Sequence, residues 1–427
     1  MNQQLTREVG VGGALMLGLG SMVGTGVFVS LGVAAGVAGP AVVLAVAIAA
    51  AVAACNALSS AQLAAAHPVS GGTYEYGYRF LTPILGFTAG WMFLVAKSAS
   101  AATAALGLAG YLLTALAPEA IDIARLIAPM IVLAVTATVA AGIRRSTQVN
   151  TAIVSITLAT LAFFVATSIA NADTARFVPF FAPEAGRTPA GGLLSAAALA
   201  FVAYTGYGRI ATLGEEITEP QRNIPRAIAV TVVVTFLLYL AVAASGVSIL
   251  GADGMAAAVS RTGAPLEVAA AQTTGTLGRV VLTVGAATAL LGVLLNLVLG
   301  LSRVLLAMGR RGDMPPAVAR VGGGTPRVAV VVMGLVVAAI SLVGDIRLTW
   351  SFSAVTVLTY YALTNLAALR LTDEQRRYPR WVSVAGLVGC LGLASFVEWQ
   401  VVLTAGGVLA TGILWHLLAR RARRGTT

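Results

Sequence analysis

Long apolar stretches follow one another along this chain with only short charged intervals between them. Stretches free of Asp, Glu, Lys and Arg run over 9–74, 98–118, 126–143, 146–172, 188–208, 227–252, 280–302, 328–344, 348–369, 381–397 and 399–419. A membrane-crossing helix needs about 20 apolar residues, so these stretches read as spans. The first is long enough for two, divided at Gly39-Pro40, and the run before Lys97 joins the run after it into one long third span. The pattern predicts an all-α membrane protein of about 12 transmembrane helices. Two of the spans are interrupted: the first by Gly20-Ser21-Met22-Val23-Gly24-Thr25-Gly26-Val27-Phe28, the sixth by Phe201-Val202-Ala203-Tyr204-Thr205-Gly206-Tyr207-Gly208. Backbone in a bilayer has no water to bond, so an unwound stretch persists there only where it is buried in protein or lines a cavity.

The order of the spans gives the organisation. Spans one to five occupy roughly 9–172 and spans six to ten roughly 190–370, with an interruption in the first helix of each set. An odd number of spans per set inverts the second relative to the first, and in such 5+5 inverted repeats the binding site lies near the midplane between the sets. Two further helices over 380–420 complete a single transport domain spanning 1–427.

Composition agrees: 58% of the residues are hydrophobic and 10% charged, which excludes a soluble domain. Positive loops are retained on the cytoplasmic side. If both termini lie inside, 19 arginines fall on that side and six, Arg125, Arg176, Arg187, Arg261, Arg279 and Arg347, on the other. That asymmetry predicts a multi-pass protein of the cytoplasmic membrane with both termini inside, and it accounts for the net charge of +11 as insertion bias and contact with anionic lipid headgroups, without nucleic acid. Cys55 and Cys390 are the only cysteines, both inside apolar spans, so neither a disulfide framework nor a metal cluster is expected, and no cofactor.

The interruptions carry the chemistry. Where helix resumes near Gly26, the amides of Gly24, Thr25 and Gly26 face a cavity with the positive end of a helix dipole behind them, which suits a carboxylate. Carbonyls near Met22, Phe201 and Ala203 are acceptors at half-helix C-terminal ends and suit an ammonium group. A pocket with both ends fits an α-amino acid. A single glycine-rich kink would more simply be a packing feature; two at corresponding positions favour a site.

These residues also resemble a family. The 20–28 segment looks like the first-helix motif of the amino acid/polyamine/organocation permeases. Pro68-Val69-Ser70-Gly71-Gly72-Thr73-Tyr74 with Gly90-Trp91 resembles that family's first cytoplasmic loop. The 201–208 segment followed by Glu215-Glu216 and Glu219-Pro220-Gln221-Arg222-Asn223-Ile224-Pro225 is similar to its sixth helix and following loop, and Ser302-Arg303, Arg311-Gly312-Asp313 and Thr325-Pro326 to the eighth-helix end. The motifs run in family order over about residues 10–370. The resemblance implies the leucine-transporter type of fold and alternating-access transport of an amino acid or related amine. Proton-coupled uptake is the expected mode, with exchange or sodium symport as alternatives; sodium would draw on hydroxyls such as Thr283 or Thr288.

Candidate substrate contacts are Ser21, Met22, Val23, Gly24, Thr25 and Gly26 of the first break, Phe201, Val202, Ala203 and Tyr204 of the second, and Lys97. Lys97 is the only lysine, against 26 arginines, and lies near the centre of span three, where a charge costs on the order of 2.5–3.5 kcal/mol. No carboxylate is expected at that depth, so this lysine is suited to exchanging a proton or to touching substrate; the alternative is an ammonium bonded to a carbonyl or snorkelling. Many proton-coupled members of the family carry a lysine in the fifth helix, and the matching position here is Thr157. Arg209, Glu215 and Glu216 are candidate coupling and gating residues at the inner end of the sixth helix, the simpler alternative being a solvated loop whose ion pairs are worth little. His67 and His416 are expected to be structural. An enzyme lacks its acid/base or metal-ligand set at membrane depth. A channel would need rings of charge or a carbonyl filter. A membrane sensor that binds an amino acid without moving it is the remaining non-transport reading.

Overall fold

The structure is a computed structural model and describes residues 10–69, 71–142, 147–211, 217–322 and 324–424. Among these residues the chain is helical: α1 (Val11–Met22), α2 (Leu31–Ala38), α3 (Val42–Ala66), α4 (Thr73–Phe80), α5 (Pro83–Leu116), α6 (Ala124–Ala140), α7 (Thr147–Ile169), α8 (Pro189–Tyr204), α9 (Gly208–Ala211), α10 (Pro220–Thr262), α11 (Pro265–Arg311), α12 (Arg327–Val343), α13 (Ile346–Ala368), α14 (Arg380–Ala394) and α15 (Trp399–Arg424). Eight of the helical stretches are long and apolar enough to cross a membrane, and α12 and α14 are shorter apolar helices. The chain is an integral membrane protein.

The first apolar stretch divides at a 3-10 turn, Gly39–Ala41. Gly39 has φ +66, and a Cβ there would run into the backbone of Ala182, so the turn needs glycine twice over. Lys97 lies inside one continuous helix, α5. The seventh and eighth predicted spans are longer than their apolar stretches suggest. Helix α10 turns sharply at Gly251 and α11 at Thr274 and Gly275, so 252–273, expected to be loop, is instead a helical hairpin.

Helices from the first part of the chain pack against helices from the second. Helix α2 lies against α10 while α8 lies against α3; α5 packs on α11 and α6 on α12; α7 packs on α11 while α13 packs on α5. Alanine, glycine and serine fill these contacts, as the run Ser98 to Ala105 on α5 shows, because small residues let helices approach without a hydrophobic drive between them. Polar links fix the outer helices: Asn56 of α3 donates to Cys390 Sγ of α14 at 3.2 Å, Ser59 bonds Ser383 at 2.9 Å, and Trp91 of α5 donates to the Val408 carbonyl of α15 at 2.8 Å.

Each end of the bundle has a charged tie. At one, Arg347 reaches Glu184 and Glu398 at 2.7 Å, with Arg187 at 3.4 Å from each acid. The Arg347 guanidinium holds the Glu184 carboxyl below the usual carboxylate range. At the other, Asp313 accepts from Tyr74 and Tyr78 of α4 at 2.8 and 2.7 Å, and His416 of α15 approaches its second oxygen at 3.3 Å. Arg311 sits over the Tyr78 ring and pairs with Glu75. His416 also stacks on Phe87, and the Arg311-Gly312-Asp313 motif ties α11 to α4 and α15.

Candidate functional site

The first break begins where α1 ends at Met22. Val23 and Gly24 form a turn, and helix restarts as the π-helical segment Gly26–Ser30, with the Gly24 carbonyl accepting from both Val27 and Phe28. Such wide turns occur mostly as short insertions within α-helices, frequently at functional sites. The second break is narrower than its glycines suggest: α8 continues to Tyr204, tightens into a 3-10 turn over Thr205–Tyr207, and restarts at Gly208.

The two breaks touch. A Cβ on Gly206 would lie within 2.5 Å of the Ser21 carbonyl carbon and of Met22 Cγ, and one on Gly26 within 2.9 Å of Ala203 Cα. Only glycine allows this approach. The structure therefore brings Ser21, Met22, Gly26 and Ala203 to one place, with Val23, Thr25, Phe201, Val202 and Tyr204 buried around them. Gly24 faces Val293 of α11. The Thr25 hydroxyl is buried with no hydrogen-bond partner among the described residues.

One expectation about the breaks needs correction. The carbonyls of Met22 and Ala203, anticipated as open acceptors, both receive the hydroxyl of Tyr239 from α10, at 2.6 and 3.2 Å. Tyr239 is fully buried and its ring tilts against Tyr204, 5.1 Å between centroids. A lone tyrosine in the apolar run 227–252 is the sequence signal for it, but nothing local says that it reaches two carbonyls on other helices.

Lys97 meets the second break. Its Nζ donates to Thr205 Oγ1 at 2.8 Å, that hydroxyl donates to the Val202 carbonyl at 2.7 Å, and the Thr205 carbonyl accepts from Tyr361 of α13 at 3.0 Å. Phe201 and Tyr207 both pack on the Tyr361 ring. Among the described residues Lys97 forms no ion pair with a carboxylate.

Thr157 lies apart from this cluster. Its hydroxyl donates to the Ile153 carbonyl of its own helix at 2.8 Å. The contact from α7 to the first break comes one and two turns earlier: Asn150 donates to the Met16 carbonyl at 2.9 Å, and Gly20 lies against Asn150 and Val154. Arg209 is on α9, just past the second break. Glu215 and Glu216 lie outside the described residues, as do Ser70, Arg144 and Arg145. Thr283 and Thr288 donate to carbonyls of their own helix, Arg279 and Val284, both at 2.9 Å. A cavity of about 460 Å³ opens at the Asp313 end, lined by Tyr78, Arg311, His416 and Arg420, away from both breaks.

Residues 13–419 match the model of the amino acid permease family. An uncharacterized transporter of Mycobacterium tuberculosis is 40% identical over 99% of this chain and 94% of its own length. The branched-chain amino acid permease BcaP of Bacillus subtilis is 27% identical over 97% of the chain and 92% of its own length. The methylthioribose transporter of the same organism is 29% identical over 75% of the chain and 71% of its own.

Proposed function

The chain belongs to the amino acid permease family, and from that premise we propose that it is a secondary transporter moving an amino acid across the cell membrane by alternating access, coupled to protons. The observation that carries the proposal is the pair of helix breaks in contact, with two carbonyls converging on a single donor. Acceptors at 2.6 and 3.2 Å from one hydroxyl are spaced to hold an ammonium instead. A substrate amine takes the place of the Tyr239 hydroxyl, while the substrate carboxylate meets the amides of Gly24 to Gly26 at the start of the second half-helix. Tyr204 and Phe201 close over it.

Twelve crossings in a 5+5 inverted repeat follow in this reading. The reciprocal packing of α2 on α10 and α8 on α3, and of α7 on α11 and α13 on α5, is what two inverted halves would produce. The arginine-rich Asp313 end is cytoplasmic and the Glu184 end faces out. Lys97 exchanges the coupled proton: with one hydroxyl partner and no carboxylate among the described residues, its charge is supported there by little besides the break itself. Exchange without a proton is the second reading, favoured by the place of Thr157 where a fifth-helix lysine is usual.

Uptake by purified protein in proteoliposomes, across a panel of labelled amino acids under imposed pH or sodium gradients, tests this. An inward proton gradient is expected to drive at least one amino acid above equilibrium, and a protonophore to abolish the effect. Accumulation under a sodium gradient alone would overturn the coupling, and binding without uptake would leave a sensor.

A further inference from the structure

Between the turns at Gly251 and Gly275 the chain forms a two-helix hairpin, 252–262 and 265–273, reversed at Gly263 with φ +70. It sits directly on α2. A Cβ at Gly32 would be 2.5 Å from Val259 Cγ2 and 3.2 Å from the Met255 carbonyl, and one at Gly36 2.8 Å from Ala256 Cβ. The hairpin is therefore a lid packed on the second half of the first broken helix.

The third residue of the lid's second helix is Glu267. An acid there ordinarily faces water near the free amides of the first turn. Glu267 is instead 1% exposed, and neither carboxyl oxygen has a hydrogen-bond partner among the described residues. Three groups face it. Arg279 of α11 approaches Oε1 at 3.9 Å from a half-exposed position. Thr283, one turn further on, lies close enough for its side chain to stabilise the carboxylate, but its hydroxyl proton goes to the Arg279 carbonyl at 2.9 Å. Tyr111 of α5 gives its hydroxyl to the Phe28 carbonyl in the first break at 2.8 Å.

An arginine at that distance is too far for the short charge-assisted bond of about 2.7–2.9 Å that would offset lost hydration. A buried carboxylate left in this way recovers too little of its lost hydration, and taking up a proton removes most of that cost.

We propose that Glu267 is a proton-binding site of the lid: the seated lid holds it as the neutral acid, and the lifted lid exposes it to the outer solution, where it ionises beside Arg279. The proton enters from outside on closing and returns outside on opening, so the site adds nothing to net proton flux. It sets how outer pH governs the lid, a role separate from that of Lys97, and it rests on the transport reading only for which face is outer. The sign follows from proton uptake on closing. Lower pH favours the seated lid, by up to about tenfold in the closed-to-open ratio per pH unit, between the acid's ordinary range and its value in the seated lid.

Labelling with a membrane-impermeant maleimide reads the lid without substrate, so its outcome is independent of transport. Val259→Cys places a thiol in the buried contact with Gly32, and Ser260→Cys, exposed on the same helix, serves as the reference at each pH, with labelling of the unsubstituted chain subtracted. Relative labelling of the Val259→Cys variant is expected to fall several-fold as outer pH drops from about 8 to about 6. Adding Glu267→Gln should make labelling low and flat with pH, while Glu267→Asp should keep the dependence. A pH dependence that survives Glu267→Gln, or relative labelling that is flat with Glu267 present, would overturn the proposal.

Discussion

Replacing Lys97 with alanine is expected to lower proton-driven accumulation of substrate in proteoliposomes by at least about tenfold while leaving exchange between internal and external substrate measurable. The magnitude comes from the bond it removes. A hydrogen bond from a charged group contributes about 1.5–3 kcal/mol, and about 1.4 kcal/mol is a factor of ten. Lys97 spends that bond on Thr205, whose own hydroxyl and carbonyl are tied to Val202 and Tyr361, so the ammonium acts on the turn joining α8 to α9. Exchange needs the turn to move but needs no proton, which is why it survives. Lys97→Arg keeps a charge and donors yet stays protonated, and should not restore accumulation. Gradient-driven uptake unchanged in Lys97→Ala would remove this residue from the mechanism and leave the link between proton and substrate to be sought elsewhere.

The second large effect is steric. Gly206→Ala would put a Cβ within 2.5 Å of the Ser21 carbonyl carbon, which is backbone and cannot swing aside as a side chain could. Overpacking of this kind costs about 1–3 kcal/mol. Here the strain falls on the contact between the two breaks, so transport should drop more than about tenfold along with a lowered melting temperature in detergent. Gly392→Ala is the control. No atom lies within 4 Å of its added carbon, and helix propensity alone favours alanine by up to about 1 kcal/mol. Equal activity of the two variants would mean that the breaks do not bear on each other in the working protein.

Both residues belong to features that the sequence displays openly, because glycine clusters and a solitary lysine stand out against apolar runs. The breaks were legible for that reason, and so was the division of the first stretch at Gly39. What closes the site was not. Tyr239 and Tyr361 sit in apolar spans 30 and more residues from the carbonyls they hold, and helix rotation alone decides whether such a tyrosine points at a break or at lipid. Asn150, which ties α7 to α1, carries no local signal of that contact; the position singled out on that helix, Thr157, bonds within its own turn. The lid was hidden for a different reason. Its glycines at 251, 263 and 275 and its charged residues Asp253, Arg261 and Glu267 look like a solvated loop, whereas in the folded chain the hairpin packs on Gly32 and Gly36 and Glu267 is buried.

The Tyr239 bridge also gives the carrier reading a physical form. The single proton of the Tyr239 hydroxyl goes to the Met22 carbonyl at 2.6 Å and is shared with the Ala203 carbonyl at 3.2 Å, so in the proposed cycle the breaks would keep a donor when no ammonium is present. Each state of the cycle then has partners for the same two acceptors, and substrate exchanges one donor for another.

Counterflow measures that cycle most directly. Proteoliposomes preloaded with an unlabelled amino acid, with pH equal on both sides, are placed in trace labelled amino acid, and internal label is followed over time. A carrier whose two halves alternate around one site is expected to show label rising above its equilibrium level and then decaying, with initial entry faster than into empty vesicles. Label that enters at the same rate with or without internal substrate, and never exceeds equilibrium, would contradict alternating access at the paired breaks.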